Sequence, residues 1–98
     1  MAQKVFTIAF DASLVNQDGM RHRILNLEDD LKGEIFWREK IGSVSGLDDG
    51  EDKTTIIVQK KRDFAKAIEI IEKCIKHHLN ELNFLCKDGC YEFVGYKV

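Results

Sequence analysis

The chain contains no proline, and no repeat or low-complexity tract breaks its 98 residues. That excludes a proline-rich linker between modules and leaves room for one domain, taken as residues 1–98. Cysteine is scarce and odd in number, at three, which fits a reducing compartment better than a disulfide framework. Charge of one sign is not in excess. A formal net charge of −2 gives no overall pull toward nucleic acid or anionic lipid, so a nucleic-acid partner would need a local basic patch. Long apolar runs are missing too. The six-residue run after Met1-Ala2-Gln3-Lys4 is too short for a signal-peptide core, and the longest helical candidate is too charged to cross a bilayer. The expectation is a cytoplasmic protein with no membrane contact. Glycine forms no phosphate-cradling loop either, since Gly42, Gly46 and Gly50 match no such motif.

What is present is an ordinary globular balance, 44% hydrophobic and 33% charged, far from the disordered range and sufficient for one modest core. Val5 to Phe10 is a short apolar, aromatic-rich run suited to a central strand, with Phe6, Ile8 and Phe10 on one face and Val5, Thr7 and Ala9 on the other. Met20, Ile24, Leu27 and Leu31 recur at helical spacing, which predicts a helix over about 19–32, with Asp18 as its N-cap and Gly33 as a left-handed C-terminal cap. Between Glu34 and Ile41, the alternation of Ile35, Trp37 and Ile41 with Arg38 and Lys40 predicts a half-wet strand. Thr54 to Gln59 is β-branched and apolar, a second interior strand. Asp63 then precedes the clearest stripe in the chain, Phe64, Ala67, Ile68, Ile71, Cys74, Ile75, His78, Leu79 and Leu82, which predicts a helix from 63 to at least 80. Asp88-Gly89 marks a stop or a turn, and Cys90 to Lys97 is the last strand.

The order β-α-β-β-α-β points to an α+β fold, the ferredoxin-like βαββαβ split sandwich, with a four-stranded antiparallel sheet and two helices on one face. In it the first and third strands lie centrally, and here those are the two most apolar ones. The opposite sheet face is expected to be uncovered and to carry Val5, Ala9, Phe36 and one side of the last strand. An exposed apolar face seeks a partner. The expected function is therefore a non-enzymatic binding or regulatory protein acting through protein–protein contact on that face, with a second copy (a homodimer) or another protein.

Three constellations carry alternatives. Cys74 and His78 lie four apart on one helix face, and Cys86 and Cys90 bracket the Lys87-Asp88-Gly89 turn; together they form a candidate tetrahedral zinc set. Against it, Cys74 also fits a core residue, and no cofactor is the simpler expectation. Asp11, at the exit of the first strand, is a candidate catalytic carboxylate, and Asp48, Asp49, Glu51 and Asp52 would complete a magnesium site if their loop folds back. Asp11 also fits a simple cap of the loop. Tyr91, Phe93 and Tyr96 partly echo the strand aromatics of RNA-recognition modules, although Glu92 sits among them and repels phosphate. Basic residues cluster at Arg21-His22-Arg23 and Lys60-Lys61-Arg62, most simply as wet surface.

The segment Phe6-Thr7-Ile8-Ala9-Phe10-Asp11-Ala12-Ser13-Leu14 resembles the opening strand of the virulence-associated protein D family and of the related small CRISPR adaptation nucleases. The likeness is confined to that segment, and only Asp11 carries over as a site residue. It implies a ferredoxin-like homodimer with metal-dependent ribonuclease activity across the dimer interface.

Overall fold

The run from Lys4 to Phe10 forms strand β1, and its alternation is read out directly. Phe6 and Ile8 are fully buried, while Val5 is half exposed on the other side. In the computed structural model, which describes residues 3–97, α1 (Ala12–Val15) follows as a single turn, then α2 (Met20–Leu31). Met1, Ala2 and Val98 lie outside the described residues, so the start of the amino-terminal segment discussed above is among them. After α2 come β2 (Gly42–Ser45), β3 (Thr54–Val58), α3 (Phe64–His78), β4 (Leu82–Lys87) and β5 (Cys90–Tyr96).

The protein is α+β, with a five-stranded sheet in the order β2-β3-β1-β5-β4. As expected, β1 and β3 lie side by side and antiparallel, from Lys4 opposite Val58 to Ile8 opposite Thr54. Helices α2 and α3 cover the face carrying Phe6, Ile8, Ile56, Val58, Tyr91 and Phe93, and their own stripes (Ile24, Leu27 and Leu31; Ala67, Ile71 and Ile75) complete one core cluster. Apolar spacing of two in the strands and of three to four in the helices thus decides both what is helical and which side is dry.

Three expectations about the backbone are corrected. First, the sheet is neither four-stranded nor purely antiparallel, because residues 82–87 form a strand where the helical stripe was extended. The α3 helix ends as Leu79 leaves helical geometry (φ −132°, ψ 34°). Leu79 and Leu82 are still buried, so the apolar spacing continues while the backbone changes. Asp88 (φ 50°) and Gly89 (φ 83°) then turn the chain with two consecutive left-handed residues, the geometry that closes a tight hairpin. This added strand reverses the chain, so β5 meets β1 in parallel, with Thr7 opposite Cys90.

Second, the segment expected as a strand over 34–41 is a π-helical turn, Lys32–Arg38, continuous with α2. Its wide pitch shows in the Glu39 N–H donating to the Glu34 carbonyl at 2.9 Å, five residues back. Ile35 lies four residues after Leu31 and is fully buried, so the α2 stripe simply continues one step further. Trp37, which an alternating strand would have placed beside Ile35, is 70% exposed. The real second strand begins at Gly42, where a Cβ would lie 2.1 Å from the Ile57 carbonyl oxygen, so only glycine permits that approach.

Third, the caps differ. Gly19 (φ 79°) stands at the N-cap of α2 in place of Asp18, and Gly33 lies inside the π-helical turn instead of ending the helix. Asp63 occupies the N-cap position of α3 but makes no side-chain cap bond.

Candidate functional site

The face of the sheet away from α2 and α3 carries no covering element among the described residues. Alternation places Val5, Thr7 and Ala9 of β1, Thr55 and Ile57 of β3, Cys90, Glu92 and Val94 of β5, and Leu85 and Lys87 of β4 on it, as the register pairs Val5 with Ile57, Thr7 with Thr55 and with Cys90, and Leu85 with Glu92 require. Val5 is 48% exposed, Leu85 62% and Val94 53%, against zero to one per cent for their neighbours Phe6, Ile8 and Phe93. The centre of this face is made of small side chains, Thr7, Ala9, Thr55 and Cys90, so it is flat. Its only charges on the strands are Glu92 and Lys87. Phe36, expected on this face, sits instead on the π-helical turn.

The last-strand aromatics divide. Tyr91 and Phe93 are each 1% exposed and point into the core under α3, where the Tyr91 hydroxyl donates to Glu72 Oε2 at 3.2 Å. Burial, and then the Glu72 carboxylate, pushes the Tyr91 phenol well above its usual range. Phe93 stacks on Phe10 at 5.3 Å between centroids. Neither ring is available to a base. Tyr96 is exposed and donates to Gln17 Oε1 at 2.5 Å, tying the end of β5 to the loop after α1.

Asp11 is exposed and caps α1. One carboxylate oxygen accepts from the Ser13 N–H and the Ser13 hydroxyl, both at 2.8 Å. Those two bonds, the backbone one first, hold its carboxyl below the usual aspartate value. Beside it a shallow cleft of about 380 Å³ brings Phe10 and Ala12 against Glu51 and Asp52, with Arg21 on its wall, but Asp11 does not line it. Within the acidic loop, Asp49 stays exposed and turns back on its own loop to accept from the Gly46 N–H at 2.9 Å.

The four expected zinc ligands fall in three places. Cys74 and His78 share the inner side of α3 next to Asp30 of α2, with His78 Nε2 2.9 Å from Asp30 Oδ2. Burial, followed by the Asp30 carboxylate, pushes the Cys74 thiol up to about 12, which favours the protonated thiol over a thiolate ligand. Cys86 pairs with Tyr91, and Cys90 is the next residue along β5, so the hairpin register sends the two thiols to opposite faces of the sheet. All three cysteines are free, and among the described residues no cluster of three or more His, Cys, Asp or Glu side chains is arranged around a common metal position.

Sequence reasoning missed Glu28. It is 1% exposed, yet no cation pairs with it among the described residues. Its carboxylate accepts the Leu47 N–H at 3.1 Å on both oxygens and the Thr54 hydroxyl at 2.5 Å. Gly46 leaves room for it, since a Cβ there would stand 1.9 Å from Oε2. Glu28 therefore fastens the loop between β2 and β3 onto α2 through fixed dipoles, a structural duty that a charged residue beside Leu27 does not announce in sequence. No helix of the described residues is long and apolar enough to cross a membrane. Compared with protein-family models the chain matches none, and a comparison with curated proteins likewise finds no match.

Proposed function

We propose that the protein is a non-catalytic binding or regulatory protein that works as a homodimer, joined through the uncovered face of its sheet. The observation that carries this reading is the ring of exposed apolar side chains, Val5, Leu85 and Val94, around a flat centre of small residues on a sheet dry on its other side. A second copy is the occupant that the charges favour. The face holds one acid and one base, Glu92 and Lys87, so a two-fold operation can set each against its opposite without attracting a strongly charged partner.

On this reading the fold is a variant of the ferredoxin-like arrangement in which β1, α2, β2, β3 and α3 are followed by the β4–β5 hairpin, β5 lying parallel beside β1 and β4 forming the edge. The three unpaired thiols support a reducing, cytoplasmic setting. Neither zinc nor magnesium is required by it. Sedimentation or light scattering at increasing concentration tests the proposal: the mass should be that of a dimer, and Leu85→Asp with Val94→Asp should return it to a monomer of unchanged circular dichroism. A monomer at high concentration, or a dimer indifferent to those substitutions, overturns it.

A further inference from the structure

Opposite Asp11, at the other end of the strands, the chain brings together residues that lie far apart in sequence. Gly42 opens β2 and pairs with Val58, which pairs with Lys4 at the start of β1, whereas Asp11 follows the far end of β1. Around Gly42 a cleft of about 690 Å³ is lined by Phe36 and Trp37 from the π-helical turn and by Lys60 and Arg62 from the segment before α3. Lys40 and Gln59 also line it.

Two features of this cleft are costly to display, an exposed aromatic pair and a left-handed lysine. Trp37 is 70% exposed, the highest value among the exposed large apolar side chains, and Phe36 braces it edge to face at 5.0 Å between centroids. Lys40, Lys60 and Arg62 have no carboxylate within 4.0 Å among the described residues. Of the two lining acids, Glu39 is faced by Arg38 at 3.9 Å, which leaves Asp63 against three cations. Lys40 is held at φ 57°, a left-handed conformation that a lysine rarely adopts, and it turns the chain from Trp37 into β2. The basic run at 60–62, unremarkable as a charge cluster, thus gains an aromatic platform.

We propose that this cleft binds a nucleotide, with the base stacked on Trp37, its edge toward the Gln59 amide, and its phosphate on Lys40, Lys60 and Arg62. A single exposed indole offers one stacking position, so one nucleotide unit is held, from a free nucleotide or from a single strand. The cleft meets the uncovered sheet face only at the β2 edge, where Ser43 lies opposite Ile57, and its aromatic and basic residues are on other elements than Val5, Leu85 and Val94, so its test reads Trp37 and not the oligomeric state.

Trp37 is the only tryptophan in the chain, so its fluorescence reports on the cleft alone. The protein should be titrated with AMP, a single-stranded oligoadenylate, inorganic phosphate and polyglutamate. Quenching by AMP and the oligonucleotide alike supports a free-nucleotide site, and quenching by the oligonucleotide alone supports a strand. With a labelled oligonucleotide followed by anisotropy, Trp37→Ala should weaken binding about tenfold or more with its salt dependence kept. Lys60→Ala with Arg62→Ala should instead lower the logarithmic salt slope by about 0.7, the loss of one neutralised phosphate. Quenching by phosphate or polyglutamate to the same extent, the latter marking an acidic-peptide surface, overturns the proposal. So does the absence of any response, or strand binding that Trp37→Ala leaves intact.

Discussion

The two faces of the sheet are built from alternate residues of the same strands, yet they obey different rules. On the covered face, Phe6, Ile8, Ile56 and Val58 are fully buried and touch the stripes of α2 and α3. On the other face, one residue along in each strand, Val5 is half exposed and Thr7, Ala9, Thr55 and Ile57 are only partly covered. Both faces belong to the same strands and carry β-branched residues, Ile56 and Val58 on one and Val5, Thr7, Thr55 and Ile57 on the other. What separates them is whether an amphipathic helix supplies the second layer that a sheet needs to bury a face. The covered face therefore carries stability, and the uncovered face is where substitution should be felt in association.

The largest effect sharpens that contrast. Phe6→Ala or Ile71→Ala should each destabilise the fold by about 2–5 kcal/mol, because a fully buried side chain leaves a cavity between sheet and helix. Chemical denaturation of the two variants checks it, with a fall in midpoint at unchanged slope. By contrast, Val5→Ser or Val94→Ser should stay within about 0.5 kcal/mol in monomer stability. A loss on the uncovered face as large as on the covered one would mean that the face is packed in solution even in the isolated chain.

An intermediate effect belongs to the Glu28 anchor. Glu28→Gln keeps the shape but replaces one acceptor oxygen with a donor facing the Leu47 N–H or the Thr54 hydroxyl, and should cost about 1–3 kcal/mol. Gly46→Ala should cost a similar amount by pushing the carboxylate away, and the two together should lose less than the sum, since they break the same contact. Additive losses would separate Gly46 from Glu28.

How much of this was legible depended on whether one backbone period alone satisfied the apolar pattern. It did for β1, β3, α2 and α3, where Phe6 and Ile8 or Ile71 and Ile75 fit one geometry and are buried as that geometry requires. It did not for 34–41, where Ile35 suits both an alternating strand and a fourth step after Leu31; burial of Ile35 with exposure of Trp37 chooses the second. Leu79, Leu82 and Leu85 were equally ambiguous, and the left-handed pair Asp88-Gly89 is the local feature that settles a hairpin. Among site residues, the exposure of Val5 follows from alternation alone. The meeting of Trp37 with Lys60 and Arg62 does not, because it depends on the π-helical turn and on how β2 lies beside β3.

The smallest expected effect concerns a tie between α2 and the start of β4. Arg23 pairs with Glu81 and also donates to the His78 carbonyl at 2.5 Å, so one guanidinium joins α2 to the end of α3 and the chain leading into β4. The hydrogen bond from Arg23, chiefly, holds the Glu81 carboxyl below its ordinary value of 4.5. A carboxylate whose folded value is lowered contributes stability that is present above its unfolded value and lost as pH falls through the folded one. Part of the acid sensitivity below about pH 4.5 should therefore belong to this pair. Because both side chains are more than a third open to water, solvent screens the contribution to a small one. Glu81→Gln should lower the neutral plateau slightly and converge with the parent as pH falls below 4.5, so its acid limb is flatter, as thermal melts from pH 3 to 7 would read. Raised salt should shrink the same difference, because the pair is near the surface. If the variant and the parent lose stability in parallel through that range, the Arg23 guanidinium acts on the His78 carbonyl alone, and α2 is joined to the hairpin by packing rather than by charge.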